Sequence, residues 1–201
     1  MENHGRGALL VYGRRRNGSN DMVAKQVVRR ADGSLLHVPA VGTIRHTRSR
    51  GHHHWHLLRF DRYELRRASD HTLVLPDRKT GFCLGDRYDS GRSFPRKPSE
   101  PLFRTNCRIY QPEASSVDMA ISVGYGDDYH AYLEGQSLDV TGLPAGQYEL
   151  VHRVNADRRL RELRYTNNAA PVRLRLTWPG GRDARPQVRV LERCSGPRCA
   201  P

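Results

Sequence analysis

Val172-Arg173-Leu174-Arg175-Leu176-Thr177-Trp178 alternates apolar and polar residues without a break. Side chains of an extended chain point to opposite faces in turn, so Val172, Leu174, Leu176 and Trp178 share one side and Arg173, Arg175 and Thr177 the other. That is the pattern of a strand with one face on a core and one in water. Before it, the Pro144-Ala145-Gly146 turn leads into a segment in which Tyr148, Leu150, His152 and Val154 share a face; after it, Val188 and Val190 offer a last edge strand. Gly7 to Gly13 reads as a short strand ended by arginines and an Asn17-Gly18 turn. Met22 to Val28 reads as a second, and Leu35 to Ile44, broken by Pro39 and Gly42, carries the chain onward. Thr72 to Leu75 and Phe82 to Leu84 flank Pro76 to Gly81 as two paired strands around a tight connection. Helical periodicity is weak throughout, with Asp157 to Leu163 as a candidate short turn of helix. The expected fold is all-β, a β-sandwich with long loops and little helix.

The 201 residues suffice for one domain with a real core, expected over residues 1–193 and followed by a short Cys-containing tail, 194–201. Mean hydropathy is −0.74, and no apolar run is long enough to span a membrane. The net charge of +13 invites docking on an anionic polymer through arginines. It is nearly all arginine, with lysine only at Lys25, Lys79 and Lys97. The arginines are scattered and no recognition-helix pattern accompanies them, so nucleic acid is not the expected partner. Cys83, Cys107, Cys194 and Cys199 form no Cys-x-x-Cys pair and read as two disulfides in an oxidising compartment, hence a secreted or cell-surface protein. Met1-Glu2-Asn3-His4-Gly5 is polar and does not read as an export signal. Gly85 to about Val117 has no clear period; a Cys83–Cys107 bridge closing about 25 residues would tie it down and contribute about 3 kcal/mol.

Gly51-His52-His53-His54-Trp55-His56 concentrates the candidate metal chemistry. On a strand His52, His54 and His56 point one way and His53 and Trp55 the other. Positions two apart are about 6.6 Å apart, so a bend is needed for three imidazoles to share one ion. An all-nitrogen set suits copper, zinc or iron, and copper(II) binds such sites most tightly, but spacing alone does not choose among them.

Further ordered motifs stand beside the histidines: Arg-Lys-Thr-Gly-Phe-Cys-Leu-Gly-Asp at 78–86, Ser-Val-Gly-Tyr-Gly-Asp-Asp-Tyr at 122–129, Gly-Gln-Ser-Leu-Asp-Val-Thr at 135–141, Pro-Ala-Gly-Gln-Tyr at 144–148, and Glu162 through Asn167-Asn168. With them the chain, from about Asn3 to Trp178, resembles the catalytic domain of the lysyl oxidases in its bacterial form. The resemblance implies a copper-dependent amine oxidase acting on primary amines, including peptidyl lysine. His52, His54 and His56 match the copper ligands, and Lys79 and Tyr129 the pair that forms lysine tyrosylquinone. A quinone carbonyl condenses with a primary amine, a carboxylate removes the α-proton, and hydrolysis releases aldehyde. Oxygen then reoxidises the ring, giving ammonia and hydrogen peroxide. Asp127 is the first candidate for that carboxylate and Asp128 the second. Glu162, Asn167 and Asn168 match a structural calcium site, although Arg164 stands where the animal pattern has an acid. Relative to the family the chain begins at an interior position, without the first strand or an export signal. The competing expectations are a non-catalytic secreted copper- or zinc-binding module on the same sandwich, and a cationic surface-binding protein with incidental histidines.

Overall fold

The computed structural model describes residues 1–49, 53–75, 81–130, 133 and 136–200. Among them there is no helix. The all-β expectation is met by two five-stranded antiparallel sheets and a two-stranded ribbon. The chain divides into two compact units, 1–60 with 81–136 and 157–163, and 61–80 with 137–156 and 164–201.

In the first unit the chain meanders through β1 (Leu9–Arg15), β2 (Met22–Arg29), β3 (Leu35–His46) and β4 (Trp55–Leu57), with β8 (Ser116–Ile121) closing the other edge, in the order β4-β3-β2-β1-β8. Val11, Met22, Ala24, Ile44, Trp55, Leu57, Val117 and Met119 are buried here. Gly13 is a packing requirement, because a Cβ there would lie 2.8 Å from Ile44 Cδ1 and 2.9 Å from Val117 Cγ1. Pro39 and Gly42 do not break β3. The strand runs through them, and a register shift opposite Ala24 to Gln26 absorbs the irregularity. The remaining pair, β7 (Tyr88–Asp89) with β9 (Tyr125–Gly126), forms the ribbon. Between Gly85 and Val117 these two residues of β7 are the only strand before β8 begins.

In the second unit β5 (Asp61–Arg67), β6 (Leu73–Leu75), β10 (Gly146–Val154), β11 (Ala169–Thr177) and β12 (Gln187–Arg193) are ordered β12-β11-β10-β5-β6. Leu65, Tyr148, Leu174 and Leu176 form its core, with Leu150, Leu138 and Trp178 against them. The alternation of β11 holds, since Leu174 and Leu176 are buried and Arg175 is exposed. β10 departs from a one-sided strand: Glu149 and Val151, on the face opposite Tyr148, are buried too. Arg173 lies 3.4 Å from Glu149, and His71 Nδ1 lies 3.3 Å from the same carboxylate, so polar contacts to Glu149 help to cover the second face.

Two local expectations are corrected. Thr72 to Leu75 does not pair with Phe82 to Leu84; Leu75 pairs with Leu65 of β5, while Phe82 bridges Leu57 of β4. Each segment finds a partner in its own unit, which the local turn signal cannot reveal. Asp157 to Leu163 forms turns and no helix, with Arg158 in the left-handed region at φ 52°.

Candidate active site

Thr47, Trp55 and the turn after the disulfide fix the histidine run. Trp55 pairs with His46 in the β3–β4 ladder, is wholly buried, and donates its indole N–H to Gln111 O at 2.9 Å. Its backbone N–H donates to Cys107 O at 3.0 Å, and Tyr110 N–H donates to His53 O at 2.7 Å. The backbone from His53 to Trp55 is therefore clamped between β3 and the Cys107 loop, which Cys83 anchors covalently.

The chain bends at His54 just before β4. His54 and His56 come together, with ring centroids 4.5 Å apart, while His53 stacks on Tyr110 at 5.2 Å. His52 and Lys79 lie outside the described residues.

His56 is buried and held at both nitrogens. Nδ1 lies 3.1 Å from Thr47 Oγ1, and Nε2 lies 3.2 Å from Tyr129 Oη. A hydroxyl on one ring nitrogen fixes the ring plane and leaves the other aimed at the site, the arrangement that metal-binding imidazoles use. Gly81 permits the neighbouring chain to pass close behind, since a Cβ on it would fall 2.6 Å from His56 Cβ. The Leu57–Phe82 bridge then lays Phe82 beside the site. Tyr129 stacks on Phe82 with centroids 4.0 Å apart and planes 19° from parallel. Its hydroxyl also accepts from Cys83 N–H at 3.3 Å. His56, with His54 against it, thus stands beside an oriented phenol, and imidazoles of this kind could hold a transition-metal ion.

Asp127 follows β9 and is about 1% exposed. Gly85 N–H donates to its Oδ2 at 2.8 Å, and Arg87 Nε lies 3.9 Å from Oδ1. Burial pushes its pKa up to about 7, against the opposing effects of Arg87 and the Gly85 amide. It is thus a poorly solvated carboxylate that still ionises near neutrality, as a general base requires. Asp128 is exposed. Glu162 is exposed in the first unit; in the second, Asn167 is exposed and Asn168 half-buried, its carbonyl accepting from Val154 N–H.

Several contributors were not singled out from the sequence. Asp86 accepts from Ser122 N–H and Oγ–H at 2.7 Å each and from Leu102 and Phe103 N–H at 3.0 Å each, pinning the long loop beside Gly85. Phe82, Gly85 and Asp86 all fall within the quoted 78–86 motif, so a signal was present. Thr47 carried none.

The lysyl oxidase family model matches residues 32–180. The chain belongs to the lysyl oxidase family. It is 30% identical over 130 residues to the protein-lysine 6-oxidase of Gallus gallus, an alignment covering 63% of this chain and 27% of that protein. The chain therefore spans about a quarter of the length of that curated relative. The lysyl oxidase match takes in β3 to β11 together with His54, His56, Asp127 and Tyr129.

Proposed function

We propose that the chain is a copper-dependent amine oxidase of lysyl oxidase type that oxidatively deaminates primary amines, peptidyl lysine among them, to aldehydes with release of ammonia and hydrogen peroxide. The observation that carries this reading is the Tyr129 phenol, stacked on Phe82 and 3.2 Å from His56 Nε2, with the buried Asp127 carboxylate two residues before it. Family membership and the name of the Gallus gallus relative support the lysine-directed class. His52, His54 and His56 would hold copper, and Tyr129 with Lys79 would give lysine tyrosylquinone. That cofactor supplies a ring carbonyl that takes up the amine and an electron sink that conjugates with it.

The chain's own residues account for the remaining tasks. Thr47 and Tyr129 hold the His56 ring in a fixed plane. Phe82 fixes the plane of the Tyr129 ring, and the Cys83 amide fixes its oxygen edge. Asp127, ionised above about pH 7 and shielded from water, takes the α-proton of the bound substrate. The two disulfides favour an oxidising, extracellular compartment.

Peptide mapping of protein matured with copper and oxygen, beside a copper-free control, tests the reading. A copper-dependent cross-linked peptide joining Lys79 to Tyr129 is expected. Separate peptides in a folded protein that binds copper stoichiometrically would replace the oxidase with a metal-binding module.

A further inference from the structure

The family match ends at residue 180, yet the chain continues into a built element. β12 pairs along its length with β11, Cys194 N–H donates to Pro171 O, and the Cys194–Cys199 disulfide closes the segment beyond. Cys199 N–H reaches Glu149 at 3.4 Å, and Arg173 donates to Ala200 O. The return strand and the residues after it are thus fastened to the sheet, and what they present to solvent is fixed.

They present positive charge along an open strand edge. From Ala169 to Ala200 there are seven arginines against two acids, Asp183 and Glu192. Only Arg173 of the seven is drawn into ion pairs among the described residues, with Glu149 and Glu192. Arg175, Arg182, Arg185, Arg189, Arg193 and Arg198 are all exposed. Arg175 and Arg189 stand directly opposite each other across the β11–β12 ladder, and like charges so placed repel unless an anion lies between them. β12 is the terminal strand of its sheet, and all seven of its residues are exposed. Its outer edge therefore offers unpaired N–H and C=O groups to an incoming chain. One face of that edge is apolar, with Val188 56% and Val190 52% exposed, and the other carries Arg189.

We propose that the free edge of β12 docks an extended acidic segment of a polypeptide, which adds to the sheet as a further strand. Backbone pairing supplies the affinity. Acidic side chains on one face meet Arg189, with Arg175 one strand behind it, and apolar ones on the other cover Val188 and Val190. That this segment belongs to the lysine-bearing substrate rests on the function proposed above. It gives a +13 protein a means of holding an amine-rich chain that its charge would otherwise repel. A second copy of this chain fits the edge poorly, because it brings the same arginines.

The test uses the whole disulfide-bonded protein and a fluorescent peptide of alternating Glu and Val, followed by anisotropy. N-methylation of alternate residues, which blocks strand pairing and keeps every charge, is expected to weaken binding at least tenfold. The double variant Arg175→Glu/Arg189→Glu is expected to weaken it by a similar factor while leaving oxidation of a small alkylamine unchanged. Equal binding of the N-methylated peptide overturns the proposal, as does peptide binding that the double variant leaves unchanged. Self-association of the wild type that the double variant abolishes overturns it in favour of a second copy. Peptide binding as expected with no alkylamine oxidation refutes the oxidase and leaves the docking edge standing.

Discussion

Tyr129 Oη lies 3.2 Å from His56 Nε2, so the residue matched to the cofactor tyrosine and a residue matched to a copper ligand meet directly. Tyr129→Phe removes the hydroxyl and keeps the stacking on Phe82, so it is expected to fold normally, bind copper, and show neither quinone absorbance nor peroxide release. Visible spectroscopy after maturation with copper checks this.

Thr47 holds the other nitrogen of the same ring at 3.1 Å. Thr47→Val keeps the shape and loses that hydrogen bond, and partners of this kind are worth about 10–100-fold in metal affinity. Competition titration against a chelator of known strength should show copper binding weakened within that range, with secondary structure unchanged.

Asp127 makes two predictions of opposite benefit. The base must be ionised, so kcat/KM should rise with pH and reach half its plateau near pH 7; Asp127→Asn should lower kcat by about 10²–10⁴-fold. Stability runs the other way. The folded carboxyl holds its proton up to about pH 7 while an unfolded one releases it near 4, so the native state gains from acid and loses that gain as pH rises through 7. Thermal melts at pH 8 should therefore find the inactive Asp127→Asn variant at least as stable as wild type. Arg87→Met removes a cation 3.9 Å from the carboxylate and should move the acidic limb of the rate profile upward.

Gly81→Ala places a methyl 2.6 Å from His56 Cβ and 3.2 Å from Leu57 O, where a buried strand edge has little room to give. A loss of about 1–3 kcal/mol is expected, with weakened copper binding because the displaced group carries an imidazole. Denaturant unfolding and copper titration of the same preparation measure both.

The site was more legible in sequence than the fold around it. His54, His56, Asp127 and Tyr129 sit in short motifs whose residue types are dictated by chemistry, and the fold sets His54 against His56 and His56 against Tyr129. β11 was readable because its alternation is local. Burial of Glu149 was not, since its partners Arg173 and His71 come from 24 residues ahead and 78 behind. The partners of Phe82 and Leu75 were misread for the same reason: a turn-like sequence between them, 76–80, says nothing about the strands to which the flanks belong. Thr47 is one threonine among many until the fold lays it on an imidazole.

Asp86 gathers two donors from the middle of a long loop and two from Ser122 just after β8 onto one carboxylate, and the Cys83–Cys107 disulfide ties the loop a second time. The exposed stretch 91–93 lies between these anchor points and touches neither the histidines nor Tyr129. For protein engineering it is the natural insertion point, where an epitope or dye-binding peptide can be grafted while His56 and Tyr129 keep their positions.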